Sequence, residues 1–140
     1  MQGKTYKVFD HTADIGVEIF GQNMEALFCH AALAVFDLIT DVQTVRATKK
    51  KRVEAEGDDR EDLLINFLRE VLYFVYGKGW LFKTCRIVKM EERRLVAELE
   101  GEIFDAGRHE IKTEIKAVTY HQVLVEQTSK EWRGRVIFDV

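Results

Sequence analysis

The sequence predicts an α+β domain in which two helices pack on a largely antiparallel β-sheet. Two segments, beginning near Asn23 and Asp58, place apolar residues three or four positions apart, as helices with one buried face do. Several other segments alternate apolar and polar residues, which is typical of half-buried strands. No linker or internal repeat interrupts the 140 residues, so we expect one domain spanning residues 1–140.

The first half of the chain predicts two strands, a helix and a third strand. Residues 5–9 and Ile15–Ile19 alternate as strands do. Asn23 is suited to cap a helix whose apolar positions continue to Ile39. Residues 44–57 alternate loosely and predict an edge strand.

The second half predicts a helix followed by four strands. Residues 58–61 have capping-box spacing and begin the second helix, for which Gly77 is a suitable end. Residues 85–99 contain two apolar runs around a charged turn and predict a hairpin. Two final strands are expected over Glu114–Gln127 and Arg133–Val140.

Composition limits the function. A net charge of −3 and a pI near 5.8 give no overall basic surface of the kind that nucleic-acid-binding domains present. No apolar run is long enough to span a membrane, and the N-terminus lacks a signal peptide, so we expect a cytoplasmic protein without a membrane partner. Cys29 and Cys85 have no metal-binding or redox-motif spacing; we interpret them as buried thiols of a reducing compartment, with a disulfide between them as the alternative.

Known catalytic motifs are absent from the sequence. Glycine-rich phosphate loops, nucleophile elbows and zinc-ligand spacings do not occur, and Ser129, the only serine, lies in an expected turn. The one basic run, residues 49–52, has two interpretations: lysines that protect an edge strand from pairing, or a contact with RNA. Residues 101–109 form a polar loop suited to function.

Carboxylates near the two ends of the chain are the strongest candidates for a functional site. Asp14 precedes the strand Ile15–Ile19 and lies on the face opposite its apolar side chains, although an aspartate here also fits simple loop capping. The final Asp139-Val140 places a side-chain carboxylate beside an α-carboxylate, and such groups repel unless water or a cation separates them. A cluster made only of oxygen ligands suits a hard divalent ion better than zinc.

Four further residues near these carboxylates are candidates for supporting roles. His11 is either a metal ligand, a support for a carboxylate, or a loop hydrogen-bond donor. In the strand over 115–127, strict alternation puts Lys116 and Tyr120 on one face, where they could contact an anion or a partner. His121 falls on the other face, and its alternative is a hydrogen-bonded histidine at the margin of the core.

Together these motifs resemble the archease family over essentially the whole chain. The resemblance rests on His11-Thr12-Ala13-Asp14-Ile15-Gly16, on the segment from Lys116 to His121 (KAVTYH), and on a terminal strand closing in Asp139-Val140. The resemblance implies an archease-like fold and a non-catalytic accessory protein of the RtcB-type RNA ligase. That ligase acts in tRNA splicing and RNA repair, so tRNA or other RNA is expected to be contacted indirectly, through the ligase.

The resemblance also implies what the accessory protein does and what it binds. The family promotes guanylylation of the ligase, restores its multiple turnover and broadens its nucleotide use. It binds a divalent ion, reported as calcium, through residues that correspond here to Asp14, Asp139 and the α-carboxylate of Val140. Ca²⁺, or another hard ion such as Mg²⁺ or Mn²⁺, is the expected cofactor.

Two other functions stay open at this point. A metal-dependent phosphohydrolase or nuclease would use the same carboxylates to activate water, but a two-metal site needs more acidic ligands than these motifs supply. An RNA-binding or chaperone-like module would rely on the basic run at residues 49–52.

Overall fold

The computed structural model describes residues 5–11 and 14–140, without the side chains of Asp10 and His11. Across these residues two helices pack on seven antiparallel strands, which confirms the predicted α+β class. In chain order the elements are β1 (Tyr6–His11), β2 (Asp14–Gly21), α1 (Met24–Ile39), a 3₁₀ turn (Val42–Thr44), β3 (Lys49–Glu56), α2 (Arg60–Leu72), a π turn (Tyr73–Gly77), β4 (Trp80–Met90), β5 (Arg94–Ile103), β6 (Ala117–Gln127) and β7 (Trp132–Asp139).

The strands form two sheets rather than one. The first has four strands in the order β1-β2-β7-β6, and the second has three in the order β3-β5-β4. β7 is therefore an interior strand, paired with β2 on one side and with β6 on the other. This arrangement brings the beginning and the end of the sequence to neighbouring strands of one sheet.

The two helices join the sheets through a common core. α1 packs against β2 of the first sheet and β4 of the second, and α2 packs against β6 and β3. Because α1 contacts both sheets, its buried side chains lie on more than one face: Met24, Leu27, Phe28, Ala31, Ala32, Ala34, Val35, Phe36 and Ile39. Neither helix is long and apolar enough to cross a membrane, within the residues that the structure describes.

Both helices begin at capping side chains. Asn23 caps α1 by accepting a hydrogen bond from the Ala26 N–H at 2.8 Å, as expected. For α2 the cap is Asp59, which accepts from the Asp62 N–H at 2.8 Å, so the expected box at residues 58–61 was one residue early. The Asp62 carboxylate accepts in turn from the Asp58 N–H at 2.8 Å.

Several expected boundaries were wrong, including the hairpin expected over 85–99, which spans β4 and β5 from Trp80 to Ile103. The strand expected from residue 44 begins at Lys49; Asp41 caps a 3₁₀ turn over Val42–Thr44, and residues 45–48 connect this turn to the strand. The strand expected from Glu114 begins at Ala117, because the segment before it bonds to other elements. Gly77 was expected to end the second helix. The α-helix ends at Leu72, a π turn continues it to Gly77, and it is Gly79 that adopts the left-handed conformation, with φ of 77°.

A bulge in β6 makes the predicted alternation of this strand wrong. Thr119 pairs with Ile137, but the next pair joins Leu124 to Arg135, so extra residues are accommodated between them. Gln122, inside this bulge, has a positive φ of 55°. As a result Val118 and Val125, expected on opposite faces, are both buried on the face that packs against α2.

Candidate functional site

Two of the predicted carboxylates stand opposite each other in the first sheet. Asp14 is the first residue of β2, and its register partner is Asp139, the last residue of β7. On β2 the alternate residues Val17 and Ile19 are buried in the core, so Asp14 projects from the other face. Directly opposed residues of antiparallel strands have Cβ atoms about 4.5–5.5 Å apart. Both aspartates are half-buried, and Val140, also half-buried, follows Asp139 directly.

Like charges at opposed positions of a sheet destabilise it unless something offsets their repulsion. Here Asp139 is fixed on both sides, since its other register partner is Ala117 of β6. The Lys116 N–H also donates to the Asp139 carbonyl oxygen at 2.7 Å. The backbone therefore holds two carboxylates side by side, and the Lys116 side chain is exposed next to this point.

The same row of the sheet includes His11 of β1, whose register partner is Asp14 of β2. The side chain of His11 lies outside the described part of the structure, as do Thr12 and Ala13 of the motif. The expected roles of His11 as a ligand or a support for a carboxylate therefore remain predictions.

Gly16 is the one motif residue whose requirement the structure explains fully. The ring of Phe9, its register partner, lies over it, and a Cβ at Gly16 would come within 2.1 Å of that ring. The other register partner of Gly16 is Ile137, which is completely buried. Glycine is thus needed for close packing on the face that carries Asp14. A Phe9–Ile137 apolar layer borders the two carboxylates.

Tyr120 belongs to a different cluster from the one expected. Its phenol donates to the Asp62 carboxylate of α2 at 2.5 Å, and the Arg69 guanidinium lies 5.0 Å from its ring centroid. The hydrogen bond from Tyr120 is the main cause that lowers the pKa of Asp62, and the same bond raises the pKa of Tyr120. Tyr120 therefore ties the bulge of β6 to α2, on the face opposite Asp14. His121 follows it in the bulge and is exposed.

A buried charge cluster anchors the polar loop after β5, and sequence reasoning did not identify its partners. Glu102 accepts hydrogen bonds from the Arg46 N–H at 2.8 Å, from Arg108 and from His109 Nε2 at 2.9 Å. The Asp105 N–H donates to His109 Nδ1 at 2.9 Å, which leaves the ring proton on Nε2, facing Glu102. The Arg46 N–H, then Arg108 and His109, lower the pKa of Glu102 to about 2 against the effect of burial.

Local contacts explain part of the basic run at residues 49–52. Lys50 pairs with Glu98 at 3.8 Å, and the Lys51 ammonium lies 4.7 Å from the centroid of the Phe74 ring. The run lies on β3, an edge strand of the second sheet, as expected. Both contacts fit a strand-protecting role, and RNA contact by this run remains untested.

No group of three or more His, Cys, Asp or Glu side chains is placed to hold a metal ion within residues 5–11 and 14–140. The expected ligand set contains only two such side chains, because its third member is a main-chain carboxylate. Metal binding at Asp14, Asp139 and Val140 therefore stays a prediction, which the register of β2 and β7 makes specific.

Comparison with known proteins identifies the family. Residues 6–140 match the model described as "Archease protein family (MTH1598/TM1083)". The chain belongs to the archease family. A protein archease of Pyrococcus abyssi is 37% identical over 98% of this chain and 99% of its own length. One from Methanosarcina barkeri is 34% identical over 99% of this chain and 98% of its own length.

Solved structures of the family share the fold. The solution structure of Methanobacterium thermoautotrophicum protein 1598 has a TM-score of 0.81 and 32% identity, covering 97% of this chain and 99% of that one. The crystal structure of a Thermotoga maritima archease, described as a possible chaperone, has a TM-score of 0.65 and 28% identity, with 96% of each chain covered. The predicted family and fold are therefore confirmed.

Proposed function

We propose that this protein is an accessory protein of an RtcB-type RNA ligase in tRNA splicing and RNA repair. In this role it promotes guanylylation of the ligase, sustains its multiple turnover and broadens its nucleotide use, without catalysing a reaction itself. RNA is contacted through the ligase rather than directly. Membership of the archease family over residues 6–140 supports the proposal, together with the opposed pair Asp14 and Asp139 that carries the family-like motifs.

The carboxylate pair is the part of the structure that fits a divalent cation. Asp14 and Asp139 supply oxygen ligands from neighbouring strands, and the α-carboxylate of Val140 would add a third. Oxygen-only donors suit Ca²⁺, Mg²⁺ or Mn²⁺ better than zinc. A bound ion would offset the repulsion between the aspartates and supply positive charge where β2 begins and β7 ends.

Lys116 is the residue proposed to contact the ligase or its nucleotide. Its backbone N–H is bonded to Asp139, so its position is fixed relative to the carboxylates, while its side chain is exposed. An ammonium group is a suitable donor for phosphate oxygens. Lys116 and the proposed cation site would then lie at one end of the first sheet, where both could meet one partner.

The proposal is tested by measuring ligase guanylylation with labelled GTP, with and without this protein. We expect wild-type protein to stimulate the reaction and Asp14→Asn and Asp139→Asn to lose the stimulation. Each substitution should also weaken calcium binding at least about tenfold, because fewer charged ligands hold a hard ion less tightly against its hydration. Lys116→Ala should lose stimulation while calcium binding is kept.

Matched controls are available on β2 and in the β6–β7 turn. Glu18→Gln removes a carboxylate from the same face of β2, opposite Arg135, and Lys130→Ala removes an exposed lysine from the β6–β7 turn. Both should stimulate like wild type, and circular dichroism checks the fold of every variant. Full stimulation by folded Asp14→Asn and Lys116→Ala would contradict the proposal.

The same preparations separate the two other functions. Incubation with RNA and nucleotides in the absence of a ligase should give no turnover and no salt-dependent shift of RNA mobility. Hydrolysis that is lost in Asp139→Asn would instead indicate a metal-dependent phosphohydrolase or nuclease. A mobility shift that is lost when residues 49–52 are neutralised would indicate an RNA-binding module.

A further inference from the structure

Two cysteines far apart in the sequence meet between a helix and a strand. Cys29 lies in α1 and Cys85 in β4, and 56 positions separate them. Their Sγ atoms are 2.9 Å apart, within hydrogen-bonding distance for thiols, and both are free. The two cysteines are thus free thiols, as the preferred interpretation had it, and the packing of α1 on β4 brings them together.

The position of the pair keeps it accessible to small molecules. β4 is an edge strand of the second sheet, and α1 packs against it. Both cysteines are half-buried rather than enclosed in the core. A partly exposed thiol exchanges with dissolved thiols and disulfides, whereas a thiol enclosed in the core is inert.

The two thiols are chemically different. The hydrogen bond with Cys85, and a further one from the Ile87 backbone, lower the pKa of Cys29. The same thiol–thiol bond and burial raise the pKa of Cys85. Because the thiolate is the attacking species, Cys29 is the group expected to react first with a disulfide, with Cys85 adjacent to complete the exchange.

We propose that Cys29 and Cys85 are a redox-active pair that a low-molecular-weight disulfide converts reversibly into a disulfide bond joining α1 to β4. In the first step the Cys29 thiolate attacks one sulfur of the small disulfide, forming a mixed disulfide and releasing one small thiol. In the second step the Cys85 sulfur attacks the Cys29 sulfur and releases the other small thiol. The two protein protons leave on the two released thiols, so the protein is oxidised by two electrons and the small disulfide is reduced to two thiols.

The experiment titrates the folded protein with glutathione redox buffers and maps the product by mass spectrometry under non-reducing conditions. We expect a Cys29–Cys85 cross-linked peptide, loss of both alkylatable thiols and full reversal by dithiothreitol. The folded protein should oxidise at least about thirtyfold more readily than the same protein in denaturant, because only the native state holds the sulfurs together. Failure of the folded protein to form the cross-link more readily than the denatured protein would overturn the proposal.

Single variants and a stability measurement complete the test. Cys85→Ser should accumulate a stable mixed disulfide at Cys29, since no neighbouring thiol remains to displace it. The oxidised wild-type protein should melt roughly ten degrees higher than the reduced one, because the bond closes a long loop. Cys29→Ser and Cys85→Ser should show no such increase.

The cross-link itself is measured on the wild type, so the proposal stays testable if a variant folds poorly. Persistent mixed disulfides on both wild-type cysteines would contradict it.

Discussion

At the scale of single residues, contacts with α2 give Tyr120 a structural role in place of the expected partner contact. Alternation along the strand placed it beside Lys116 as a partner contact, but its phenol is bonded to Asp62 and its ring lies against Arg69. Nearly half of its surface is still exposed, at 48%. Its structural role is to join the bulge of β6 to the first turn of α2.

Replacing Tyr120 by phenylalanine should change the titration of Asp62. The variant keeps the ring that Arg69 contacts but removes the O–H donor, which is the main cause of the lowered pKa of Asp62. We therefore expect the pKa of Asp62 to rise toward its ordinary value, measured by the pH dependence of its carboxyl carbon NMR signal. Tyr73→Phe is the control, since Tyr73 is also exposed and contacts Phe74 and Lys78. An unchanged Asp62 pKa in Tyr120→Phe would contradict this account.

The residues that could be predicted from sequence are those on regular strands. Alternation placed Asp14 opposite the buried face of β2, and the register of β2 with β7 agrees with that placement. Alternation failed in β6, because a bulge changes which face the later side chains point to. The apolar and polar pattern of the strand does not show where this bulge lies. Contacts between distant residues, such as Cys29 with Cys85, depend on packing and were not predictable from spacing.

At the scale of elements, the connection over residues 104–116 is held by several hydrogen bonds to other segments. Its Lys112 N–H donates to the Ile39 carbonyl, and the Thr40 hydroxyl donates to the Glu110 carbonyl, both at 2.7 Å. The Ile115 N–H donates to the Tyr76 hydroxyl at the same distance, and Ile115 itself is buried. These contacts tie the connection to the end of α1 and to the π turn before it enters the first sheet.

Glu102→Gln should loosen the start of this connection and change the acid stability of the protein. The folded-state pKa of Glu102 is about 2, below its ordinary value of 4.5, so its carboxylate adds stability above about pH 4.5. That contribution is lost as the pH falls from about 4.5 to about 2. We expect the variant to unfold at lower denaturant concentration at pH 7 and to depend less on pH within that window.

Hydrogen exchange locates the effect of Glu102→Gln. Amides in residues 104–116 should exchange faster in the variant, since Arg108 and His109 lose a charged acceptor. Glu110→Gln is the control, because the Glu110 side chain is exposed on the same connection. Equal pH dependence in wild type and Glu102→Gln would exclude the proposed contribution.

Sequence patterns predicted whole elements better than their limits. Both helices were predicted from apolar spacing, because most of the apolar side chains three or four positions apart are buried in each helix. The ends were misplaced where a cap or a distant bond intervenes, as at Asp59 and at Ile115. The division of the strands into two sheets was not predicted, since the alternation of apolar and polar residues in one strand does not show which strands pair with it.

At the scale of the whole molecule, the two sheets differ in how far apart their strands lie in the sequence. The second sheet, β3-β5-β4, together with α2, comes from residues 49–103. The first sheet pairs β2, beginning at Asp14, with β7, ending at Asp139. Long-range pairing requires a large loop to close before its contacts form, so it is slower than local pairing.

We therefore expect the second sheet to form before the first during refolding. Pulse-labelling hydrogen exchange should protect the amides of β4 and β5 earlier than those of β2 and β7. A destabilising substitution in the β4–β5 hairpin should slow folding, and one in β7 should mainly speed unfolding. Simultaneous protection of both sheets would contradict this order.

The pairing of β2 with β7 also links ligand binding at Asp14 and Asp139 to the stability of the fold. Asp14 and Asp139 are adjacent only when these two strands are paired, so the unfolded chain has no equivalent arrangement. A ligand bound by both aspartates binds the folded protein and not the unfolded chain. The free energy of unfolding therefore rises with the ratio of the ligand concentration to its dissociation constant. The concentration of such a ligand in the surroundings thus sets the fraction of molecules in which β2 and β7 are paired.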